Sequence, residues 1–303
     1  GNGFRKTTTD VLSSDFLTFT LARMLGPDIA APLTYKIFDG DRGRALEQSL
    51  ENPEHSGFLA KDISGPFSAL YPSKDKYLFP ITVFNSTRMQ DGNPAVICNI
   101  DLDSAAFRNR IDVIDSLPGG KMIRLSSSMA LSARFPYISP AGKIGHDYFV
   151  DGGYFDNSGA GVVHEMLLEI NRIKRLKLMP AEDSALNKLR FYVIHIINSP
   201  YSSGDKKKVH PFNNDLAAPL ITLAGSYESQ TNVNNTRLQK YLNEQQPGSY
   251  IEFNLYKRDS VESFPMNWVM SKHVMKAMNK RVDEIEALNH IIQKMKNNQP
   301  ELF

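Results

Sequence analysis

The chain has 303 residues, 41% of them hydrophobic and 22% charged, with a formal net charge of +2 at pH 7. These values predict a soluble globular body with a substantial core, and they give no reason to expect broad electrostatic attraction to nucleic acid or to an anionic surface. The single cysteine, Cys98, excludes an intrachain disulfide and a cysteine-rich metal site, and no apolar run reaches the roughly 18–20 residues of a membrane-spanning helix.

Helices and strands alternate in the N-terminal half. Asp15 caps a predicted helix from Phe16 to Leu25, whose apolar stripe we expect to face the core. The alternative is that the segment Phe16–Leu33 forms an amphipathic helix that lies at a membrane interface or covers a lipid-entry cleft. The other predicted elements of this half are a helix over Arg44–Leu50, strands over Tyr77–Ser86 and Ala95–Ile100, a helix over 124–133 and a strand over Tyr148–Val150.

The same alternation continues in the C-terminal half. Apolar residues recur at helical spacing from Ala160 to Leu178, and the apolar run Phe191–Asn198 is typical of a parallel strand covered on both faces. The other predicted elements are a polar loop over Tyr201–Phe212, a helix over Ala217–Asn243, a strand over Tyr250–Tyr256 and a charged helix over Ser271–Asn297.

The alternation of strands and helices predicts the fold class. We expect an α/β layered sheet with helices on both faces. The length allows one large domain or two small ones, and no repeat or low-complexity linker divides the chain. We expect residues 1–303 to form a single domain in which residues 271–303 are a surface C-terminal helix.

The most informative stretch is Asp151-Gly152-Gly153, which directly follows the predicted strand Tyr148–Val150. A carboxylate at the end of a strand is presented at a fixed place. The two glycines after it allow a sharp turn and a close backbone approach that a Cβ would prevent. Taken alone, an Asp-Gly-Gly sequence is most simply explained as a tight strand-to-helix turn.

The surrounding residues give this motif a wider context. A serine-rich helix beginning at Leu125 leads through the pair Phe135-Pro136 and into the motif strand. This block resembles the patatin-like phospholipase family, in a bacterial branch whose larger members carry membrane-spanning segments elsewhere. Weaker sequence similarity extends the resemblance over most of residues 10–280. It is carried by Asp15–Leu17, Asp41–Glu47, Phe84–Thr87 and Pro265–Ser271.

The resemblance implies a function and a set of roles. Asp151 would be the acid of a Ser–Asp dyad that attacks a lipid or phospholipid ester, with no cofactor. Gly152 and Gly153 would form the close turn. Asn157 would fix the loop through its side-chain amide, although capping the following helix is its simpler role.

The chain departs from the family pattern in one respect. No serine lies in a G-x-S-x-G sequence; the nearest approaches are Ile63-Ser64-Gly65 and Gly225-Ser226-Tyr227. The simplest interpretation is the C-terminal part of a longer enzyme, whose N-terminal part carries the nucleophile and the oxyanion loop. We therefore expect this chain alone to be inactive or nearly so. The parent protein could be membrane-associated, and the absence of disulfides leaves the compartment open.

Other candidate residues have simpler structural explanations. We expect His195 to be a hydrogen-bonded core histidine, Lys206–Lys208 to form a solvated loop, and the serines Ser126–Ser128 to allow close helix packing. His164-Glu165 lacks the second histidine of H-E-x-x-H, so we predict no catalytic metal.

Two rival functions remain beside the lipid acyl hydrolase. One is a non-catalytic pseudoenzyme or lipid-binding scaffold that keeps the fold and the Asp151 turn. The other is a triad hydrolase of another fold that uses an internal serine and one of the seven histidines.

Overall fold

The computed structural model describes two compact units, Gly1–Gly159 and Ala160–Phe303. The prediction of a single domain stays a prediction. The described residues are 14–16, 18–26, 28, 42–52, 63–71, 80–103, 106–107, 109–134, 139–197, 214–254 and 271–283, together with positions 3, 6, 286, 289, 292 and 293. The predictions for Tyr201–Phe212, Lys206–Lys208 and Phe135-Pro136 concern residues outside this set.

The N-terminal unit combines helices with a five-stranded mixed sheet of order β3-β2-β1-β5-β4. Its strands are β1 (Val83–Arg88), β2 (Pro94–Cys98), β3 (Ile111–Asp112), β4 (Gly142–Ile144) and β5 (Asp147–Asp151). Its helices are α1 (Thr18–Leu25), α2 (Arg42–Glu51), α3 (Val113–Ser116), α4 (Leu125–Ser132) and α5 (Gly153–Asp156), with 3₁₀ turns at Phe67–Leu70 and Gly120–Met122.

The central strand of this sheet is β1, which runs antiparallel to both β2 and β5, while β2 and β3 pair in parallel. The turn between β1 and β2 forms because Gly92 adopts φ 72° and the Asp91 carboxylate accepts hydrogen bonds from Arg88 and Asn93. All five residues of β2, including Cys98, are buried, so this strand lies within the core.

The core of the N-terminal unit gathers large apolar side chains from the sheet and from the segments packed against it. Its fully buried members include Phe67, Ile97, Val113 and Phe149. Phe149 belongs to β5, two residues before Asp151, so the strand that carries the motif is anchored in the core.

Helix α1 does not bury the stripe that the sequence predicted. It begins at Thr18, where the Asp15 carboxylate accepts a hydrogen bond from the Thr18 N–H as a cap. Thr20 is buried, whereas Leu21 and Leu25, which belong to the predicted apolar stripe, are 36% and 68% exposed. The prediction of a core-facing apolar stripe is therefore wrong, because the helix packs through its polar Thr20 side and leaves apolar side chains outside.

Helices α2 and α4 contact each other, and charged side chains join the two segments. The Arg44 guanidinium binds both Glu47 and Glu51, and Arg134 also reaches Glu47 at 3.3 Å. The buried Ser126 hydroxyl donates to Glu51 at 2.7 Å. Burial raises the pKa of Glu51, but the hydrogen bonds from Arg44 and Ser126 outweigh it and leave that pKa below its ordinary value.

The C-terminal unit contains two parallel strands and several helices. Its elements are α6 (Ala160–Leu176), a 3₁₀ turn at Pro180–Glu182, α7 (Asp183–Lys188), β6 (Val193–Ile197), α8 (Asn214–Gln245), β7 (Tyr250–Asn254) and α9 (Lys272–Asp283). Helices α6 and α8 pack together around Ala160, Leu167, Leu238 and Leu242. Helix α6 ends before the predicted Leu178, because Lys177 adopts a left-handed φ of 50°.

Strand β6 pairs in parallel with β7, as the apolar run predicted, but only one of its faces is buried. His195 is buried and its Nδ1 lies 2.6 Å from the Tyr250 hydroxyl, which confirms the prediction of a hydrogen-bonded core histidine. Ile194 and Ile196 are exposed on the opposite face. The prediction that both faces are covered is wrong for these residues.

In the part of the chain that the structure describes, no helix combines the length and the hydropathy required to cross a bilayer. The architecture is mixed α/β.

Core anchoring of β5 predicts a contrast between two neighbouring residues. Phe149→Ala should lower the free energy of unfolding by about 3–5 kcal/mol, because it opens a cavity among fully buried side chains. Tyr148→Ala, on the exposed side of the same strand, should cost less than about 1 kcal/mol. Urea titrations of both variants followed by circular dichroism give the comparison. Equal losses would show that β5 is not anchored through Phe149.

Candidate active site

Asp151 is the last residue of β5, and its position is set by pairing with the central strand. Its register partner across the antiparallel ladder is Ser86 of β1. The carboxylate is half-buried, and its Oδ1 accepts a hydrogen bond of 2.7 Å from the Gly153 backbone N–H. The sequence analysis predicted an acid held at the end of a strand, and the structure places Asp151 in that position.

The surroundings of Asp151 change its acidity. Burial raises the pKa of the Asp151 carboxyl above its ordinary value, and the hydrogen bond from Gly153 offsets only part of this effect. A carboxylate with a raised pKa binds a proton more strongly than an exposed aspartate does. Such a group is better suited to accept a proton from a hydroxyl group.

Gly152 allows the turn after Asp151 to lie against the central strand. A Cβ at this position would lie 2.3 Å from the backbone oxygen of Asn85, a distance that real Cβ atoms do not adopt. The backbone of Gly152 has φ −69° and ψ −21°, which any residue can adopt. Glycine is therefore required here by lack of space, and not by an unusual backbone conformation.

At Gly153, unlike at Gly152, the nearest atoms belong to side chains and not to the backbone. A Cβ here would lie 2.9 Å from the Asp151 Oδ1 and 2.7 Å from the Asn157 Oδ1. The missing Cβ leaves room for the carboxylate to sit over the start of α5 and bind the Gly153 N–H. Both glycines of the motif thus have the close-approach role that the sequence analysis predicted.

A buried ion pair that the sequence analysis did not identify lies beside this turn. The Arg110 Nη2 is 3.1 Å from the Asp156 Oδ2, and the two side chains are 2% and 0% exposed. Asp156 is the last residue of α5, so the pair ties the end of the motif helix to the segment before β3. The Arg110 guanidinium also lies over the Phe155 ring, 5.6 Å from its centroid.

Asn85 connects the ion pair to the turn. Its Nδ2 donates to the Asp156 carbonyl oxygen at 3.1 Å, and its Oδ1 accepts from the Arg110 Nη1 at 3.4 Å. Removal of one member of a buried ion pair leaves an uncompensated charge and typically costs about 3–5 kcal/mol. The network therefore resists displacement of the helix that follows Asp151. No spacing pattern in the sequence could have linked Arg110 to Asp156, which is 46 positions later.

Asn157 lies next to the turn but is exposed. Its Oδ1 lies close to Gly153, and among the described residues its side-chain amide forms no hydrogen bond. The structure thus places Asn157 beside Asp151 and Gly153 as the family resemblance implied. It does not show the amide fixing the loop, and that role stays a prediction.

Serines near Asp151 have other hydrogen-bond partners. The Ser86 hydroxyl donates to the Val150 carbonyl oxygen at 2.8 Å, and the Ser126 and Ser128 hydroxyls bind Glu51 and the Arg124 carbonyl oxygen. Among the described residues, no serine hydroxyl binds the Asp151 carboxylate. Ser126 and Ser128 are fully buried in α4, in accord with the packing role predicted for them.

Within the described ranges, no group of three or more His, Cys, Asp or Glu side chains could hold a metal ion. Comparison of the chain with protein-family models, with curated proteins and with solved structures gave no match.

The space requirement at Gly152 predicts unequal effects of two similar substitutions. Gly152→Ala should lower the free energy of unfolding by about 2–3 kcal/mol, because its Cβ meets the backbone of the central strand. Gly153→Ala should cost less, because the atoms it meets belong to side chains that can rotate. Thermal and urea unfolding of both variants measure the difference. A neutral Gly152→Ala would contradict the close contact with Asn85.

Burial of the Asp151 carboxylate predicts a pH-dependent gain in stability on its neutralisation. Asp151→Asn keeps an oxygen that accepts from the Gly153 N–H but removes the buried charge, so the variant should be more stable than the wild type at pH 7. Because the folded-state pKa is raised, the difference should shrink as the pH falls through that value and vanish below the ordinary value of 3.8.

Unfolding midpoints of the two proteins between pH 7 and pH 3 test this expectation. Asp91→Asn is the matched control, because hydrogen bonds from Arg88 lower the pKa of this exposed carboxyl to about 2 and its neutralisation should not stabilise the protein. A less stable Asp151→Asn at pH 7 would show that the carboxylate is not destabilised by burial.

Proposed function

We propose that Asp151 is the base of a lipid acyl hydrolase of the patatin-like type, in an α/β layered fold with helices on both faces of the sheet. The observation that carries the proposal is the Asp151–Gly153 turn. A half-buried carboxylate with a raised pKa lies at the end of a core strand, Gly152 packs against the central strand, and the Gly153 N–H binds the carboxylate. The resemblance of the surrounding sequence to patatin-like phospholipases supplies the reaction class.

The proposed reaction is ester hydrolysis in two steps. Asp151 accepts the proton of a serine hydroxyl as the serine oxygen attacks the ester carbonyl carbon, and it returns this proton to the alcohol oxygen as the ester bond breaks. Asp151 then accepts a proton from a water molecule that attacks the acyl-enzyme, and it returns that proton to the serine oxygen as the fatty acid is released. The substrate is a lipid or phospholipid ester, and neither step requires a cofactor.

The serine is the group that this chain does not supply in a recognisable motif. We propose that a segment N-terminal to residue 1 carries both the nucleophile and the oxyanion donors, and that the 303 residues contribute the base. The exposed apolar side chains of α1 are compatible with a parent protein that associates with membranes, since Phe19 and Leu25 present apolar surface to solvent.

A fluorophosphonate probe, which labels activated serines, tests the proposal. The longer protein encoded by the gene should be labelled, and Asp151→Asn in that protein should lower the labelling rate by about 10²–10⁴, as expected for loss of a general base. The 303-residue chain alone should remain unlabelled. The matched control is Asp147→Asn, because Asp147 lies on the same strand, paired with Arg88.

The other outcomes distinguish the rival functions. An unlabelled longer protein would support a pseudoenzyme or lipid-binding scaffold and would overturn the proposal. Labelling of the 303-residue chain itself would show an internal nucleophile. If substitution of a histidine then abolished that labelling, a triad hydrolase would replace the dyad.

A further inference from the structure

The segment that joins α6 to α7 is strongly cationic. Residues 172–190 form this segment, here named the α6–α7 corner. Its acidic residues are Glu182 and Asp183. Its basic residues are Arg172, Lys174, Arg175, Lys177, Lys188 and Arg190. The positive excess is therefore concentrated here, in a chain whose formal net charge is only +2.

Large aliphatic side chains are exposed among these charges. Leu176, Leu178, Met179 and Leu189 are 52%, 50%, 44% and 41% exposed. Single exposed apolar residues are common on protein surfaces, whereas here four lie within fourteen residues of sequence. Neither Leu178 nor Met179 lies in a helix, so a helical core stripe does not explain them.

The backbone shows how these residues come to be exposed together. Helix α6 ends as Lys177 enters the left-handed region, and the Leu178 N–H donates to the Ile173 carbonyl oxygen. The chain then turns through Pro180–Glu182 into α7, which contacts α6. The corner is a defined turn between two packed helices, and it presents its cations and aliphatic side chains within one short stretch.

We propose that the α6–α7 corner docks the protein on an anionic lipid surface. Lysine and arginine side chains bind lipid phosphates, while leucine and methionine side chains enter the boundary between headgroups and acyl chains. The exposed apolar residues are aliphatic, and the corner has no aromatic side chain on which nucleic-acid bases would stack. These features favour a membrane over a nucleic acid as the partner.

The proposal goes beyond the proposed hydrolase function, because it concerns binding by residues 172–190 and not the chemistry of Asp151. A protein without hydrolase activity can still bind vesicles through this corner. Vesicle binding and fluorophosphonate labelling therefore fail or succeed independently of each other.

Co-sedimentation of the 303-residue chain with vesicles tests the charge contribution. The chain should bind vesicles of phosphatidylcholine with added phosphatidylglycerol much more tightly than vesicles of phosphatidylcholine alone, and added salt should weaken this binding. A variant that removes four exposed cations of the corner should reduce the partition coefficient by about a hundredfold or more. Its substitutions are Arg175→Gln, Lys177→Gln, Lys188→Gln and Arg190→Gln.

The matched control removes the same charge elsewhere, from exposed lysines outside the corner, and should lose much less binding. Its substitutions are Lys121→Gln, Lys143→Gln, Lys240→Gln and Lys272→Gln. Equal losses in the two variants would show that net charge alone attracts the protein, and this would overturn the proposal.

A second pair of variants tests the aliphatic contribution. The corner variant Leu176→Ser, Leu178→Ser and Met179→Ser should reduce vesicle binding by about tenfold or more, because it removes three side chains that would enter the lipid. The control variant replaces three exposed apolar residues of the other unit and should bind normally. Its substitutions are Ile81→Ser, Met89→Ser and Met122→Ser.

Circular dichroism and unfolding midpoints confirm that each variant folds; all the substituted side chains are exposed. Three further results would overturn the proposal: no binding to anionic vesicles by the wild-type chain, binding that survives both corner variants, or binding of an oligonucleotide but not of vesicles through the corner cations. Self-association that both corner variants abolish, without vesicle binding, would assign the corner to a second copy of the chain.

Discussion

The contact between Gly152 and the backbone of Asn85 determines where the candidate site lies. Because Asn85 belongs to the central strand β1, the turn after Asp151 is held against the middle of the sheet and not at a free loop. The same asparagine binds both members of the Arg110–Asp156 ion pair. The candidate base is therefore supported on one side by a core strand and on the other by a buried charge network, which is how precise polar sites are built.

The local features of this site could be predicted from sequence, and its distant contacts could not. The strand before Asp151, the turn after it and the long helix α6 follow from apolar runs, glycines and helical spacing within a few residues. The pairing of Arg110 with Asp156 and the antiparallel order of β2, β1 and β5 depend on which segments meet in space. No local sequence pattern specifies these contacts between distant segments. Helix α1 shows the same limit, because its spacing defined an apolar stripe but not whether anything covers it.

The two glycines show a related limit. A glycine can be required by an unusual backbone angle or by a lack of room for a side chain. The amino-acid sequence does not show which of the two reasons applies. At Gly152 the backbone angles are ordinary and the neighbouring carbonyl is the constraint. At Gly92, by contrast, φ is 72° and no atom lies within 4 Å of a Cβ, so the angle is the constraint.

The carboxylates joined to arginines between α2 and α4 have a consequence for the acid limit of the protein. Hydrogen bonds from Arg44 and Ser126 lower the pKa of Glu51, so its stabilising effect is complete above the ordinary value of 4.5 and is lost as the pH falls through the lowered value. Arg44 stays charged throughout, so protonation of Glu51 removes the attraction between these two side chains. Asp151 affects stability in the opposite sense, because its protonation removes a charge that burial makes unfavourable. Acidification thus removes a destabilising charge at the end of β5 and a stabilising charge between α2 and α4, so the two carboxyls contribute with opposite sign to the acid stability of the protein.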